Sequence, residues 1–185
     1  MDFMSSPEYK VLFLCMGNSA RSIFAESILN HFGAGRFVAY SAGGAPKGEV
    51  HPLTLQVLKE SKLPTAGLRS KSWEEFTTKD SPQFDFVFTV CDDVAGETCP
   101  VWAGHTMTAH WGIGDPVLAD GSDEQKLHAF RTAFIELEAR IRTFVNLPLK
   151  SLDRLKIQEH LDEIGDSRKT QVVAPDLSMR IAKEP

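Results

Sequence analysis

The sequence predicts an α/β fold, a parallel sheet with helices on both faces. Three observations predict it. Short apolar runs alternate with segments carrying an apolar stripe at helical spacing, from residue 9 to residue 145. The strongest runs, YKVLFL (residues 9–14) and FDFVFTV (84–90), are near-continuous rather than alternating, as strands buried on both faces require. The first of them ends on Cys15 and breaks at once into the polar stretch GNSARS. In a parallel sheet such a break marks the carboxyl edge, where ligands bind.

The elements come in this order. After the strand at 9–14, SIFAESILNHFG places Ile23, Phe24, Ile28, Leu29 and Phe32 on one helical face, and Gly33 offers a C-terminal stop. RFVAYSAG is a second strand ending at Gly43 and Gly44. VHPLTLQVLKESKLP is a helix: His51 suits its cap, Pro52 its first turn, and Pro64 lies beyond its end. The strand at 84–90 runs into Cys91, and TMTAHW (106–111) is a weaker strand. Ser122 and Gln125 have the spacing of a capping box, and Leu127, Phe130, Phe134, Leu137, Ile141 and Phe144 form the apolar face of a long helix behind it. A shorter helix is expected over 151–164, closed by Gly165 and packed on the sheet, with a polar tail over 166–185.

Composition narrows the function. The chain has 185 residues, 42% of them hydrophobic, enough for one domain with a sizeable core. Twenty Lys and Arg against 25 Asp and Glu give a net charge of −5, with no basic run, which argues against nucleic acid as a partner. No apolar stretch reaches membrane-spanning length, and the N-terminus lacks the pattern of a secretory signal. Three cysteines without an export signal point to the cytoplasm, where thiols stay reduced. A monomer is expected.

CMGNSAR is a cysteine, five residues and an arginine, set between a strand and a helix. A loop there turns successive backbone N–H groups inward at a helix N-terminus, which makes an anion site. Gly17 and Asn18 tolerate left-handed backbone angles. Arg21 adds a planar fork for two oxygens of a tetrahedral oxyanion. The same field favours a thiolate over a thiol, and Ser22 can donate to the sulfur. Cys15 is therefore the candidate nucleophile, with Met16, Gly17, Asn18, Ser19, Ala20, Arg21 and Ser22 as the oxyanion cradle. In GIGDPV, Asp115 precedes a proline that biases it toward extended backbone, so its carboxyl can project from a loop and carry a proton for a leaving oxygen.

VLFLCMGNSARS resembles the catalytic loop of the low-molecular-weight protein tyrosine phosphatase superfamily. With YSAG, HP and HWGIGDP, the stretch CMGNSARS is most similar to the arsenate reductase branch. The resemblance covers residues 11–144. It implies a flavodoxin-like fold with a four-stranded parallel sheet, a catalytic domain over 1–148 and a helical extension over 149–165. It also implies Cys15 as nucleophile, Asp115 as general acid and base, and reduction of arsenate to arsenite. Cys91 then attacks Cys15 and Cys99 attacks Cys91, in a relay of mixed disulfides. No tightly bound cofactor is implied. An external thiol reductant is, either thioredoxin or glutaredoxin with glutathione. The loop would also take phosphate or sulfate.

Two features weigh against the phosphatase branch. Ala20 stands where that branch carries a second cysteine, and DPVLAD lacks the tyrosines that follow its Asp-Pro. Seven residues separate Cys91 from Cys99, too many for the usual zinc pair and one more than in thioredoxin-linked relatives. Gly96 lies between them in a polar stretch. Some arsenate reductases hold potassium beside the loop through an asparagine, a glutamate, a serine and an aspartate. Asn18, Glu26 and Ser41 match the first three, and Lys71 falls at the fourth, where its ammonium can replace the ion. The alternatives are a phosphatase and a non-catalytic oxyanion sensor or interaction protein.

Overall fold

The computed structural model describes residues 8–91, 102 and 104–167. Cys99 and Gly96, together with the tail beyond 167, lie outside the described residues. Four parallel strands form one sheet: β1 (Tyr9–Cys15), β2 (Phe37–Gly43), β3 (Phe86–Cys91) and β4 (Met107–Ile113), in the order β2-β1-β3-β4. The chain steps outward from β1 to β2, then returns to β3 on the other side. The carboxyl ends of β1 and β3 therefore flank the point where strand order reverses, the place such sheets use for ligands. These ends carry Cys15 and Cys91.

Alternation sorts the side chains of β1. Val11, Phe13 and Cys15 face one core cluster, while Leu12 and Leu14 face another. The first cluster takes in residues of α1 (Arg21–Phe32), α2 (Pro52–Glu60), α3 (Asp123–Val145) and α4 (Arg154–Asp166). On the second face Leu12, Leu14, Ala42, Phe84 and Val87 meet Tyr40, Trp73, Phe76 and Trp102. The aromatic centre of the larger cluster is Trp111, stacked on Phe88 with ring centroids 4.0 Å apart and planes at 14°. No described helix is long and apolar enough to cross a membrane.

Several elements differ from expectation. The weak strand at 106–111 is a seven-residue β4 that runs on to Ile113. Its strength is tertiary: Trp111 is fully buried and its indole N–H donates to Leu161 O of α4 at 2.9 Å. The helix expected from Ser151 begins at Arg154, because Asp153 takes the cap and accepts from Lys156 N. Gly165 does not stop it. A Cβ there would stand 2.3 Å from His110 O, so this glycine lets α4 lie close against β4. Gly33 does end α1, for space rather than flexibility: its φ of −97° is open to any residue, but a Cβ would meet Leu29 O at 2.8 Å. The capping box of Ser122 and Gln125 and the His51 cap of α2 form as expected.

Candidate active site

The loop between β1 and α1 is held from outside by its own carbonyls. Met16 O accepts from Ala45 N, and Gly17 O from Lys47 N and Ser70 Oγ. Ser19 O accepts from His51 N and, at 2.8 Å, from the buried Thr54 hydroxyl, while Ala20 O accepts from Phe24 N. In a trans peptide the carbonyl and the following N–H point opposite ways, and the described chain has no cis bond. Outward carbonyls thus aim the amides of Gly17, Asn18, Ala20 and Arg21 toward the loop's interior. That interior is a cavity of about 270 Å³ whose lining includes the loop, Lys47, Asp115 and Val117.

The helix behind the loop reinforces this. His51, Ser122 and Asp153 cap α2, α3 and α4 with side chains. The N-cap of α1 is Ala20, which offers no side-chain bond, and the first turn carries no acidic residue. The partial positive charge of α1's N-terminus is therefore left for an anion.

The backbone of the loop needs two special residues. Asn18, not Gly17, takes the left-handed angle, with φ 42°. Gly43 is required by proximity, since a Cβ there would stand 2.4 Å from Met16 O.

A directed hydrogen-bond chain runs from Cys15 away from the cavity. Asn18 Nδ2 donates to Ser22 Oγ at 2.8 Å and to Ser41 Oγ at 3.0 Å. Ser41 in turn donates to Glu26. With its oxygen accepting from Asn18, the Ser22 hydroxyl is free to direct its hydrogen at Cys15 Sγ, 3.0 Å away. Asn18 Oδ1 accepts from Lys71 N at 2.9 Å, which fixes the amide's orientation.

The chain ends on a buried ion pair. Lys71 Nζ lies 3.7 Å from Glu26 Oε2 and donates to Arg69 O at 3.2 Å, with the two side chains 6% and 14% exposed. Burial is the largest influence on each. It pushes the Glu26 carboxyl above its ordinary value, against the lowering effect of Lys71, and draws Lys71 below its own, against Glu26. Asn18, Glu26, Ser41 and Lys71 thus come together as one group behind the loop. Among the described residues no three His, Cys, Asp or Glu side chains gather as a metal site.

On the other flank stands Arg21, buried to 5% exposure. It donates to Ile113 O at 3.2 Å and pairs with Asp115 at 2.9 Å. Asp115 also accepts from Val117 N, which holds its carboxyl at the cavity's edge. Two bonds leave further guanidinium N–H groups for an oxyanion. Cys91 is fully buried at the end of β3, in the same core cluster as Cys15. Between Thr89 and Cys91 the register with β4 slips, so that Trp111 and Gly112 both stand opposite Val90.

Sequence reasoning missed Thr54, Ser70, Gly43 and Lys47 as supports and lining. None belongs to the loop's own motif, and only the return of β2 and the segment after it brings them there.

An arsenate reductase of Shouchella clausii is 32% identical over 134 residues, 72% of this chain and 93% of that one. A glutaredoxin arsenate reductase of Synechocystis is 29% identical over 74% of this chain and 95% of its own. The solved structure of an arsenate reductase in the phosphate-binding state superposes with a TM-score of 0.61 at 28% identity, covering 74% of this chain and 96% of that one. Residues 10–158 match the low molecular weight phosphotyrosine protein phosphatase family, and the chain belongs to it.

Proposed function

We propose that the protein reduces arsenate to arsenite, with Cys15 as nucleophile and thiols as the source of both electrons. One observation carries the reading: a buried cysteine bonded to Ser22 faces inward amides at the only side-chain-uncapped α-helix among the described residues, with Arg21 and Asp115 at its edge. The named activity of relatives matched over nearly their full length supports arsenate as the anion.

In the first step the Cys15 thiolate forms a bond to arsenic, and an arsenic-bound hydroxyl leaves as water after taking a proton from Asp115. Arg21 and the loop amides hold the remaining oxygens and stabilise the charge that develops on them. In the second step the Cys91 thiolate attacks Cys15 sulfur. The sulfur–arsenic pair of electrons stays on arsenic, which leaves as arsenite, and a Cys15–Cys91 disulfide remains. Cys99 then attacks Cys91, which frees Cys15 and leaves Cys91–Cys99 for an external dithiol to reduce. We assign that dithiol to a cytoplasmic thioredoxin or glutaredoxin, and take the working unit to be a monomer whose catalytic part is residues 1–148. Lys71 supplies the charge that potassium supplies elsewhere in the branch, so activity should not depend on potassium.

The test is arsenate-dependent consumption of NADPH, assayed separately with thioredoxin and its reductase and with glutathione, glutaredoxin and glutathione reductase. Cys15→Ser and Cys91→Ser should abolish turnover with either donor, and Cys99→Ser should abolish it with thioredoxin. Phosphate ester hydrolysis without arsenate reduction would make the protein a phosphatase. Anion binding with neither activity would make it a sensor.

A further inference from the structure

Among the described residues, Arg140 on α3 is a heavily engaged buried charge outside the loop. Its side chain is 4% exposed. Nη1 donates to Trp111 O at 2.8 Å and Gly112 O at 3.2 Å, and Nη2 to Gly165 O at 3.5 Å. The first two carbonyls belong to the two residues that stand together opposite Val90 in the β3–β4 irregularity. A bulge of this kind disrupts the ladder locally, and a buried carbonyl outside the ladder needs another donor. Arg140 is that donor, and its planar fork reaches from the bulge to α4.

Immediately beyond the bulge the chain enters the Arg21 flank of the loop. Ile113, next in sequence, gives its carbonyl to Arg21, and Asp115, two residues further on, gives its carboxylate. Bulges bend a strand and re-aim the residues after it, which is why they recur beside active sites. Helix α4 closes the brace from the other side. Leu161 O accepts from Trp111 Nε1, and Gly165 allows the close approach to His110.

We propose that Arg140 is a positioning residue for the reaction. By holding the β4 bulge against α4, it sets Ile113 O and Asp115 in the places that orient Arg21. The role in turnover rests on the proposed arsenate chemistry; the orientation of Arg21 is expected to govern the binding of any tetrahedral oxyanion. The brace thereby gives α4 a task at a site it does not line.

Arg140→Lys keeps the cation but has no fork to span three carbonyls. Misplacement of catalytic groups by about 1 Å costs roughly a hundredfold in rate, so a partial shift should lower kcat/KM for arsenate by about tenfold or more. The affinity for inorganic phosphate, measured by calorimetry, should weaken several-fold, and Cys15 alkylation should keep its wild-type pH profile.

A merely structural role is separated by a double-mutant cycle with Asp115→Asn. If Arg140 works through Asp115, Arg140→Lys should cost much less kcat in the Asp115→Asn background than in the wild type. Equal cost in both backgrounds, or a folded Arg140→Lys with wild-type kcat, KM and phosphate affinity, overturns the proposal. Should Arg140→Lys not fold, Gly165→Ala probes the brace from α4 without removing a buried charge, and a folded variant with unchanged phosphate affinity overturns it equally. If the wild type binds phosphate but does not reduce arsenate, the functional reading fails while the phosphate measurements still decide the role of Arg140.

Discussion

Two ion pairs flank the Cys15 loop, and they are built for opposite purposes. Lys71 and Glu26 sit behind it, both nearly sealed, at 3.7 Å and with burial opposing the charge on each. Arg21 and Asp115 sit at its edge, at 2.9 Å, and line the cavity itself. The rear pair ends a hydrogen-bond chain through Ser41, Asn18 and Ser22 and never meets the cavity. It fixes the loop's shape. The front pair lines the cavity and Arg21 has donors left over, so under the proposed function it is the pair that meets an incoming anion.

The largest expected effect breaks the front pair. Asp115→Asn should lower kcat for arsenate by about 10²–10⁴, the usual worth of a positioned acid. Phosphate affinity should fall far less than kcat, because Ile113 O still holds Arg21 when the carboxylate is gone. Steady-state kinetics and calorimetry on one preparation measure both, and an unchanged kcat would remove Asp115 from the chemistry.

Breaking the rear pair should act on stability first. Lys71→Met leaves a buried carboxylate without its cation and should cost about 3–5 kcal/mol, as for other severed buried pairs. Adding Glu26→Gln should recover part of that loss, since the second change removes the stranded charge. Denaturant unfolding of the four proteins gives the coupling. Additive losses would mean that the two residues do not act as a pair.

The pH dependence sharpens the same contrast. Glu26 has a folded-state pKa above its ordinary value, so its contribution to stability is full at acid pH and declines as pH rises through the folded value. Lys71 has a folded-state pKa below its ordinary value, so its contribution is full at high pH and declines as pH falls through the folded value. Wild-type stability relative to the Lys71→Met, Glu26→Gln double variant should therefore be lowest on the plateau between those two folded values. It should rise toward both flanks. A difference that peaks on the plateau would contradict the assigned directions.

The smallest effect tests the outer scaffold. Thr54→Val removes one of two donors to Ser19 O and should cost about 0.5–1.5 kcal/mol, with little change in phosphate binding because His51 N still holds that carbonyl. A large loss of anion affinity would mean that Thr54 shapes the loop directly.

Much of the fold and of the loop is legible in the sequence. A cysteine at the end of an apolar run, a glycine, an asparagine and an arginine within the next six positions, and an apolar stripe behind them specify strand, loop and helix from local chemistry alone. The capping box of α3 and the cap of α2 are equally local. Gly165 shows the limit. By sequence it is a helix stop, yet α4 continues through it, because the residue is chosen for the approach of β4 rather than for a turn. Strand β4 reads as weak for the same reason: its bulge and its Trp111 are stabilised by α3 and α4.

The sequence by itself determined the parallel α/β order, the strand–loop–helix passage around Cys15 and the residue types able to grip an oxyanion, since each depends on neighbours a few positions away. Only the tertiary structure decided that Asn18 rather than Gly17 bends left-handed, that Lys71 reaches Glu26, that Asp115 meets Arg21, and that Arg140 holds the bulge before it. Those depend on contacts between residues far apart in the chain, or on a backbone angle that such contacts impose. Local propensity carries no information about which distant groups will be buried together.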